Sequence, residues 1–549
     1  MSGLESVVFL VLGVVIVNGI AGRLRVPAPI LLVVAGVAVS FIPGAPDYQV
    51  DPEIILTVLL PPLLYAAAVE SSIIALRKML QAITQLAVGT VLVTAFAVAV
   101  VLHAMIPDIP FAAALALGAI VAPPDAVAAV AIARRAGLPR QVVTVLEGES
   151  LFNDATSLVL LRVAVVGVSA GSLAWGPAVG EFAWAAAGGV LIGAVLGLLL
   201  SIVRRYVGST LAITALSLVT PWLAYLVGES AGASGVLTVV VTGLVLGFRS
   251  PSDLPPEVRL TDGATWNALR YVLEGAVFAL IGLQLWAIVT APDIGRVPTL
   301  TTAAAILATV ILIRPIWIFL LAGIARLFRR RAIAPWRPLV AISWAGMRGV
   351  VSLAAAQTLP LDTPYRALLL TCTIAVILGT LVVQGLSLPA VIKFLRMPGD
   401  PVADNERERA AARQEANQAI TRRVEEVIVT DSLPASQARR MRAWAANRDW
   451  RGLTERPDNA GDTGDRPDKL SNWRHELVGI ERDVFITMRN SGRISEDVLR
   501  ELQYDLDLEE ALLDRRLEDA SGHLSQLTAT REDWDTRKDD DPEIDRPAG

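Results

Sequence analysis

The segment TVLEGESLFNDATSLVLLRVAVVGV, residues 144–168, combines a long apolar run with several polar and acidic side chains. Its length suits a helix that crosses the hydrocarbon core of a bilayer, which takes roughly 20 residues. It nevertheless contains Glu147, Glu149 and Asp154, and a carboxylate at the bilayer centre costs at least about 2.5–3.5 kcal/mol. Such residues normally face the interior of a helix bundle and mark the path of an ion or a proton. The segment therefore predicts a polar site buried inside a membrane domain.

The polar residues of this segment share one side of the predicted helix. With Glu149 set to zero, Asn153 lies at about 40° and Ser150 at about 100° around the helix axis. Asp154 and Glu147 follow at about 140° and about 160°, still on the same side. The opposite side is apolar. One half of the helix is therefore expected to pack against apolar groups, and the other half to form a polar wall that requires solvation.

Two regions of different composition make up the chain of 549 residues, of which 54% are hydrophobic. Residues 1–400 contain 19 acidic and 24 basic residues, whereas residues 401–549 contain 34 acidic and 24 basic residues. The mean hydropathy of +0.54 exceeds that of a typical soluble protein, and the apolar blocks lie in the first region. We predict a membrane domain at 1–398 and an acidic helical tail at 399–549. No basic patch with interleaved aromatic residues suggests a nucleic-acid partner.

The first region predicts an all-α polytopic membrane protein with about thirteen transmembrane helices. The predicted spans are 5–21, 28–43, 53–70, 82–105, 110–133, 141–168, 182–203, 208–227, 232–248, 266–290, 299–325, 338–358 and 366–395. Basic residues concentrate in alternate loops, and the only basic residue in the intervening loops is Arg296. By the positive-inside rule, the N-terminus is expected outside and the tail in the cytoplasm.

Two of the predicted spans contain residues that interrupt helices. The fifth span carries Pro123 and Pro124 in its middle, and proline removes a helix hydrogen bond and clashes with the preceding turn. The twelfth carries Gly346 and Gly349 on either side of Arg348. The first six and the last six spans form inverted units, each with its fifth member broken. Although glycine and proline are common in membrane helices, broken helices at corresponding places in two repeats indicate a transporter site.

Oxygen atoms surround the predicted breaks. Asp125 follows the two prolines at the start of a half-helix, where free N–H groups and the helix dipole stabilise an anion. Carbonyls freed before the break and the hydroxyl of Ser150 add further oxygens, a set that suits a hard cation such as Na⁺. A zinc site is not expected, because His103, the only histidine of the membrane domain, lies near the end of a span. Cys372 is the only cysteine, so a thiolate cluster is not expected either.

Each buried charge also has a structural alternative. Glu149 fits better as the scaffold partner of an arginine, and Asn153 fits better as an architectural hydrogen bonder than as a ligand. No arginine is obviously dedicated to Asp154, which makes Asp154 the leading candidate for a functional carboxylate. Glu70 and Glu274 lie near span ends or in less diagnostic settings.

Several motifs in order along residues 1–398 carry a family resemblance. These motifs are GAIVAPPDAVAAVAI (118–132), LPRQVVTVLEGESLFNDATSLVLLR (138–162), FALIGLQL (278–285), RPIWIF (314–319), SWAGMRGVVSLAAA (343–356) and TLVVQGLSLP (380–389). The chain resembles the electroneutral Na⁺/H⁺ exchanger branch of the monovalent cation:proton antiporters, in its bacterial form. The resemblance implies a homodimer in the bacterial plasma membrane. It also implies a dimerisation domain and a six-helix core in which the two broken helices cross.

The resemblance also implies roles for individual residues. Asp154 matches the aspartate that carries the cation and the proton, and Asn153 matches its asparagine neighbour. The predicted cation- and proton-binding residues are Asp154, Asp125, Ser150, Pro124 and Glu70, and the predicted architectural residues are Asn153, Glu149, Arg314 and Arg348. Family members pair a glutamate at the position of Glu149 with an arginine at the position of Arg314. One departure is that Pro124 precedes Asp125 where many members have threonine or valine, so Pro124 offers only its carbonyl.

The predicted function is secondary antiport of Na⁺ against H⁺ by alternating access, which serves pH and sodium homeostasis. No ATP motif is present and no cofactor is expected beyond the transported ions. The resemblance implies one cation per proton. Three alternatives stay open: a K⁺ or Li⁺ antiporter, a cation channel, and an intramembrane aspartyl enzyme that uses Asp125 and Asp154. The tail, with predicted helices at 403–428, 473–488 and 494–519, could bind a regulator that the sequence does not identify, or could aid assembly.

Overall fold

A computed structural model describes the chain at residues 3–24, 28–42, 55–125, 129–130, 132, 137–170, 175–289, 296–329, 335–397, 401–432, 434–447 and 467–512. Within these ranges every regular element is helical, which confirms the all-α class. The chain divides into two compact units, Met1–Leu254 with Thr261–Asp404, and Pro255–Leu260 with Asn405–Gly549. The predicted boundary between residues 398 and 399 stays a prediction.

The helices up to residue 395 build the first unit, except that the twelfth of them begins in the second. They are α1 (Gly3–Leu24), α2 (Ala28–Ser40), α3 (Leu60–Glu70), α4 (Ile73–Lys78), α5 (Leu80–Thr84), α6 (Val91–Met105), α7 (Phe111–Val121), α8 (Arg140–Ala170), α9 (Trp175–Tyr206), α10 (Thr210–Ser230), α11 (Gly235–Asp253), α12 (Pro256–Val289), α13 (Arg296–Arg329), α14 (Trp336–Trp344), α15 (Val350–Gln357), α16 (Arg366–Thr380) and α17 (Leu386–Leu395). Turns of π-helix at Ile55–Leu59, Gln85–Thr90 and Leu381–Gly385 continue these helices.

Many of these helices have the length and composition of membrane spans. Nine helices of the described ranges are long and apolar enough to cross a bilayer, and three shorter apolar helices accompany them at Ala28–Ser40, Thr57–Glu70 and Phe111–Val121. The predicted twelfth span, 338–358, is instead a pair of short helices, α14 and α15. A multi-span helical membrane protein is confirmed, whereas the exact number of spans and the inverted repeat stay predictions.

Both predicted breaks are present. Helix α7 ends at Val121, and the chain is not helical from Ala122 to Asp125, because Pro124 has no N–H to continue the ladder. Helix α14 ends at Trp344, and the chain becomes helical again only at Val350. The residues directly after Asp125, at 126–128, lie outside the described ranges, and the predicted half-helix that begins there stays a prediction.

Helix α7 lies in the middle of the first unit, and its side chains from Ala112 to Val121 are buried. Its sequence permits this because alanine and glycine dominate it and small residues let neighbouring backbones approach closely. At Gly118 the approach is extreme, since an added Cβ would overlap the backbone carbonyl of Ala95 in α6. The apolar helix that leads into the first break is thus clamped by its neighbours.

The second unit contains most of α18 (Pro401–Thr430), which begins in the first unit, together with α19 (Ala435–Asn447), α20 (Pro467–Asn490) and a further helix at 496–512. Its apolar core includes Phe485, Val498 and Leu499, which are almost fully buried. Ion pairs cover its surface. In one of them the Arg493 guanidinium beside Glu415 lowers the pKa of that carboxyl.

The close approach at Gly118 predicts that alanine destabilises the protein at this position but not at Gly323. Gly118→Ala forces α6 and α7 apart, and overpacking of this kind destabilises by about 1–3 kcal/mol. The measurement is the thermal unfolding midpoint of the detergent-solubilised protein. Gly323→Ala in α13 is the matched control, because an added Cβ there meets nothing within 4 Å. Equal midpoints for the two variants would contradict the packing described for α7.

Candidate functional site

The two interrupted helices meet at their breaks. The backbone N–H of Asp125 donates a hydrogen bond to the carbonyl of Met347, with an N···O distance of 2.7 Å. Gly349 faces the same aspartate so closely that an added Cβ would overlap the Asp125 carboxylate. Only glycine leaves room for this carboxylate, so the absence of a side chain at Gly349 allows the two breaks to pack together.

Arg348 bonds to the backbone that the breaks leave without helical partners. Its side chain is fully buried, and it donates to the carbonyls of Val121 at 2.9 Å and Ala122 at 3.2 Å. It also donates to the carbonyl of Gly346, and its own backbone N–H donates to the Thr380 hydroxyl at 3.0 Å. Because several carbonyl dipoles surround it, the guanidinium satisfies backbone acceptors and is itself solvated by them.

Two polar side chains of α8 donate hydrogen bonds to the first break and to the last turn of α7. The Asn153 amide donates to the carbonyl of Pro124 at 2.9 Å, and the Ser157 hydroxyl donates to the carbonyl of Ala119 at 2.8 Å. The carbonyl of Pro124 keeps a second lone pair after accepting this bond. Asn153 Oδ1 is buried and has no hydrogen-bond partner within the part of the chain that the structure covers.

Glu149 and Arg314 form a buried bidentate ion pair, with N···O distances of 2.5 and 2.7 Å. The exposed fractions of the two side chains are 1% and 0%. Arg314 also donates through Nε to the carbonyl of Ile342 in α14, at 3.1 Å. The pair therefore links α8, α13 and the helix that leads into the second break.

A cavity of about 320 Å³ opens beside these contacts. All five residues predicted to bind the cation or the proton line it: Asp154, Asp125, Ser150, Pro124 and Glu70. The residues predicted to be architectural are not among its lining residues: Asn153, Glu149, Arg314 and Arg348. The predicted binding residues thus line one cavity. The predicted architectural residues lie behind its wall, in the hydrogen bonds and the ion pair described above.

Asp154 differs from Glu149 although both lie on α8. It is 5% exposed and faces the cavity. No lysine, arginine or histidine among the described residues forms an ion pair with it. A buried carboxylate without a basic partner is costly. The geometry therefore favours a site in which a proton or a small cation neutralises Asp154.

Sequence reasoning missed several lining residues of this cavity, among them Ser352 and Arg270. Ser352, near the start of α15, is 1% exposed and lines the cavity, and its hydroxyl lacks a hydrogen-bond partner among the atoms described. Arg270 in α12 also lines the cavity. A signal existed for each: Ser352 follows the Gly349 break by three residues, and Arg270 precedes Glu274 by one helical turn inside a predicted span. Glu147 and Glu274, considered from the sequence as membrane carboxylates only, line the cavity too.

The buried Glu149–Arg314 pair predicts that removal of one charge destabilises the protein more than removal of both. Glu149→Gln leaves Arg314 charged and buried without its counter-ion, which costs about 3–5 kcal/mol. The double variant Glu149→Gln with Arg314→Met removes both charges and should regain much of that loss. Chemical unfolding of the four proteins in a double-mutant cycle measures the coupling. An additive cycle would contradict the pairing.

Comparisons with known proteins show the family of the chain. The family model described as sodium/hydrogen exchanger, transmembrane, matches residues 7–394. An uncharacterized Na⁺/H⁺ exchanger of Mycobacterium bovis is 35% identical over 93% of this chain and 96% of its own length. The Na⁺/H⁺ antiporter ApNhaP of Aphanothece halophytica is 32% identical over 71% of this chain and 74% of its own.

A solved structure shares the fold. The sodium proton antiporter MjNhaP1 of Methanocaldococcus jannaschii aligns with a TM-score of 0.59 and 20% identity, over 72% of this chain and all of that chain. Antiporters of this kind are multi-pass membrane proteins and transporters, not enzymes. The chain therefore belongs to the sodium/hydrogen exchanger family of monovalent cation:proton antiporters.

Proposed function

We propose that this protein exchanges Na⁺ for H⁺ one for one by alternating access, with Asp154 as the carboxylate for which the two ions compete. The observation that carries the proposal is the burial of Asp154 at the cavity wall without a basic partner among the described side chains. An ionised carboxylate in such a place needs a positive charge, and both transported ions supply one.

The proposed cation ligands are oxygen atoms. Asp154, Asp125 and Ser150 line the cavity, as do Pro124 in the first break and Ser352 near the start of α15, and we assign the Pro124 carbonyl and the Ser352 hydroxyl to the ligand set. Carboxylate, carbonyl and hydroxyl oxygens suit a hard cation. Glu70 lines the same cavity farther along α3, and we assign it a part in the passage of the cation.

Competition at one carboxylate explains coupling. A proton on Asp154 removes the charge that holds Na⁺, and bound Na⁺ removes the affinity for the proton. The empty, ionised site crosses rarely, because a bare carboxylate is costly in hydrocarbon. Exchange of one Na⁺ for one H⁺ leaves the net charge of the site unchanged, which makes the cycle electroneutral. If Asp125 also titrated during transport, the stoichiometry would rise above one proton per cation.

The setting of this activity is part of the proposal. We infer a bacterial plasma membrane with the N-terminus outside and a cytoplasmic tail, a membrane domain at 1–398, a tail at 399–549 and a homodimer. The two inverted six-helix repeats and about thirteen spans belong to the same proposal. The transported Na⁺ and H⁺ are the only ions required, and the role is pH and sodium homeostasis. We also infer that the tail binds a regulator whose identity the sequence does not give.

Two alternatives to this proposal are an antiporter for another cation and a cation channel. A relative from Bacillus pumilus, 30% identical over 66% of this chain and 57% of its own length, is named a sodium, potassium, lithium and rubidium/H⁺ antiporter. We therefore treat K⁺ and Li⁺ as alternative cargoes. A cation channel would carry the ion without proton flux in exchange. Membership of a transporter family removes the aspartyl enzyme from consideration.

The test is exchange in proteoliposomes that contain a pH-sensitive dye. Addition of Na⁺, Li⁺ or K⁺ against an imposed pH gradient should trigger proton flux in the wild type and name the ion. Asp154→Asn keeps the size of the side chain but removes its charge, and should abolish the flux. Asp362→Asn, an exposed carboxylate outside the cavity, should leave it unchanged.

The same vesicles test electroneutrality. One-for-one exchange is expected to be insensitive to an imposed membrane potential, whereas a second proton per cycle would make the rate depend on it. Exchange that persists in a folded Asp154→Asn protein would remove Asp154 from its proposed role. Cation flux without any proton flux would support a channel.

A further inference from the structure

The cavity contains a built-in positive charge. Arg270 on α12 donates through Nη1 to the Glu70 carboxylate of α3, at 2.5 Å. Its Nε lies 3.6 Å from Glu274, one turn farther along the same helix. All three residues line the cavity that also holds Asp154. The guanidinium therefore sits in the space through which the proposed cargo must pass.

The charge of the cavity wall is strongly unbalanced. Within the described ranges its lining residues include one basic side chain, Arg270, and five acidic ones: Glu70, Asp125, Glu147, Asp154 and Glu274. A single guanidinium thus lowers the negative potential that all of these carboxylates present to an incoming cation.

We propose that Arg270 acts as a tethered cation that competes with the transported cation for Glu70, and thereby sets the affinity of the cavity for Na⁺. The proposal rests on the function proposed above and adds a residue that tunes it. Arg270 is a positioning residue in this scheme: it need not touch the cargo, but it must leave Glu70 for the cargo to bind there.

Exposure makes this competition feasible. The side chains of Arg270, Glu70 and Glu274 are 32%, 41% and 31% exposed and line the cavity, so packing constrains the pair less than it constrains a fully buried one and the bond is more readily opened. The Glu149–Arg314 pair is fully buried and cannot exchange partners in this way. Glu274 gives the displaced guanidinium a second partner on its own helix, so that the charge need not leave the cavity.

The first test is Arg270→Gln in proteoliposomes at alkaline pH, where protons compete least with Na⁺. Removal of the competing charge should lower the half-saturating Na⁺ concentration by roughly three- to tenfold, without raising the maximal rate. Arg270→Lys keeps the charge and should stay close to the wild type. Arg162→Gln is the matched control, because it removes the guanidinium of a partly exposed pair with Glu229 whose residues do not line the cavity.

A second test changes the charge within one folded protein. Arg270→Cys should also lower the half-saturating Na⁺ concentration, and a positively charged methanethiosulfonate reagent should restore it. A neutral reagent of similar size should not. The reaction is selective because the only native cysteine, Cys372, is fully buried.

The outcomes separate the two proposals. An unchanged or increased half-saturating Na⁺ concentration in both Arg270→Gln and the neutral adduct, with exchange intact, would overturn the role of Arg270 alone. An effect of Arg270→Gln that persists undiminished on a Glu70→Gln background would overturn the competition for Glu70. Absence of cation-driven proton flux in the wild type would instead overturn the proposed function.

Discussion

The structure depends on the satisfaction of backbone groups that two broken helices expose inside a membrane. In hydrocarbon an unpaired N–H or C=O costs several kcal/mol, so irregular backbone is tolerated only where protein surrounds it. Arg348 from one break donates to the carbonyls of Val121 and Ala122 at the other, and the N–H of Asp125 returns a bond to Met347. Each break thus supplies what the other lacks, and neither would be stable without its partner.

This mutual satisfaction separates two kinds of buried charge. Arg348 and the Glu149–Arg314 pair are fully partnered, so they hold the breaks and α8 in place and have little reason to bind another ion. Asp154 stands five residues after Glu149 on the same helix, but it faces the cavity and has no basic partner among the described residues. The two carboxylates lie about 140° apart around α8, so that Glu149 faces Arg314 while Asp154 faces the cavity.

Local signals in the sequence were sufficient for much of this arrangement. The proline pair at 123–124 and the glycines at 346 and 349 predicted both breaks, because their effect on a helix acts within a few residues. Helical periodicity put Asn153 and Asp154 on the polar side of α8. The contacts between the breaks join residues more than two hundred positions apart, and no local pattern specifies them. Ser352 and Arg270 carry weak local signals, but their importance comes from the cavity that distant helices enclose.

The distribution of bonds also bears on how a site of this kind could move. The polar contacts of Asn153, Ser157, Arg314 and Arg348 all run among α7, α8, α13, α14, α16 and the breaks. Across the cavity, Glu70 and Arg270 pair between α3 and α12. Apolar side chains also pack between the two sides, such as Leu151 of α8 against the cluster that contains Leu60 and Tyr65 of α3, and the partly exposed Arg162–Glu229 ion pair joins α8 to α10. Apolar contacts are not directional and can slide at small cost, whereas breaking a buried hydrogen bond or ion pair is expensive. Under alternating access, α8 would move past α3 together with the two breaks that are bonded to it, and would carry Asp154 with it. The buried hydrogen bonds and the ion pair within this body would stay intact.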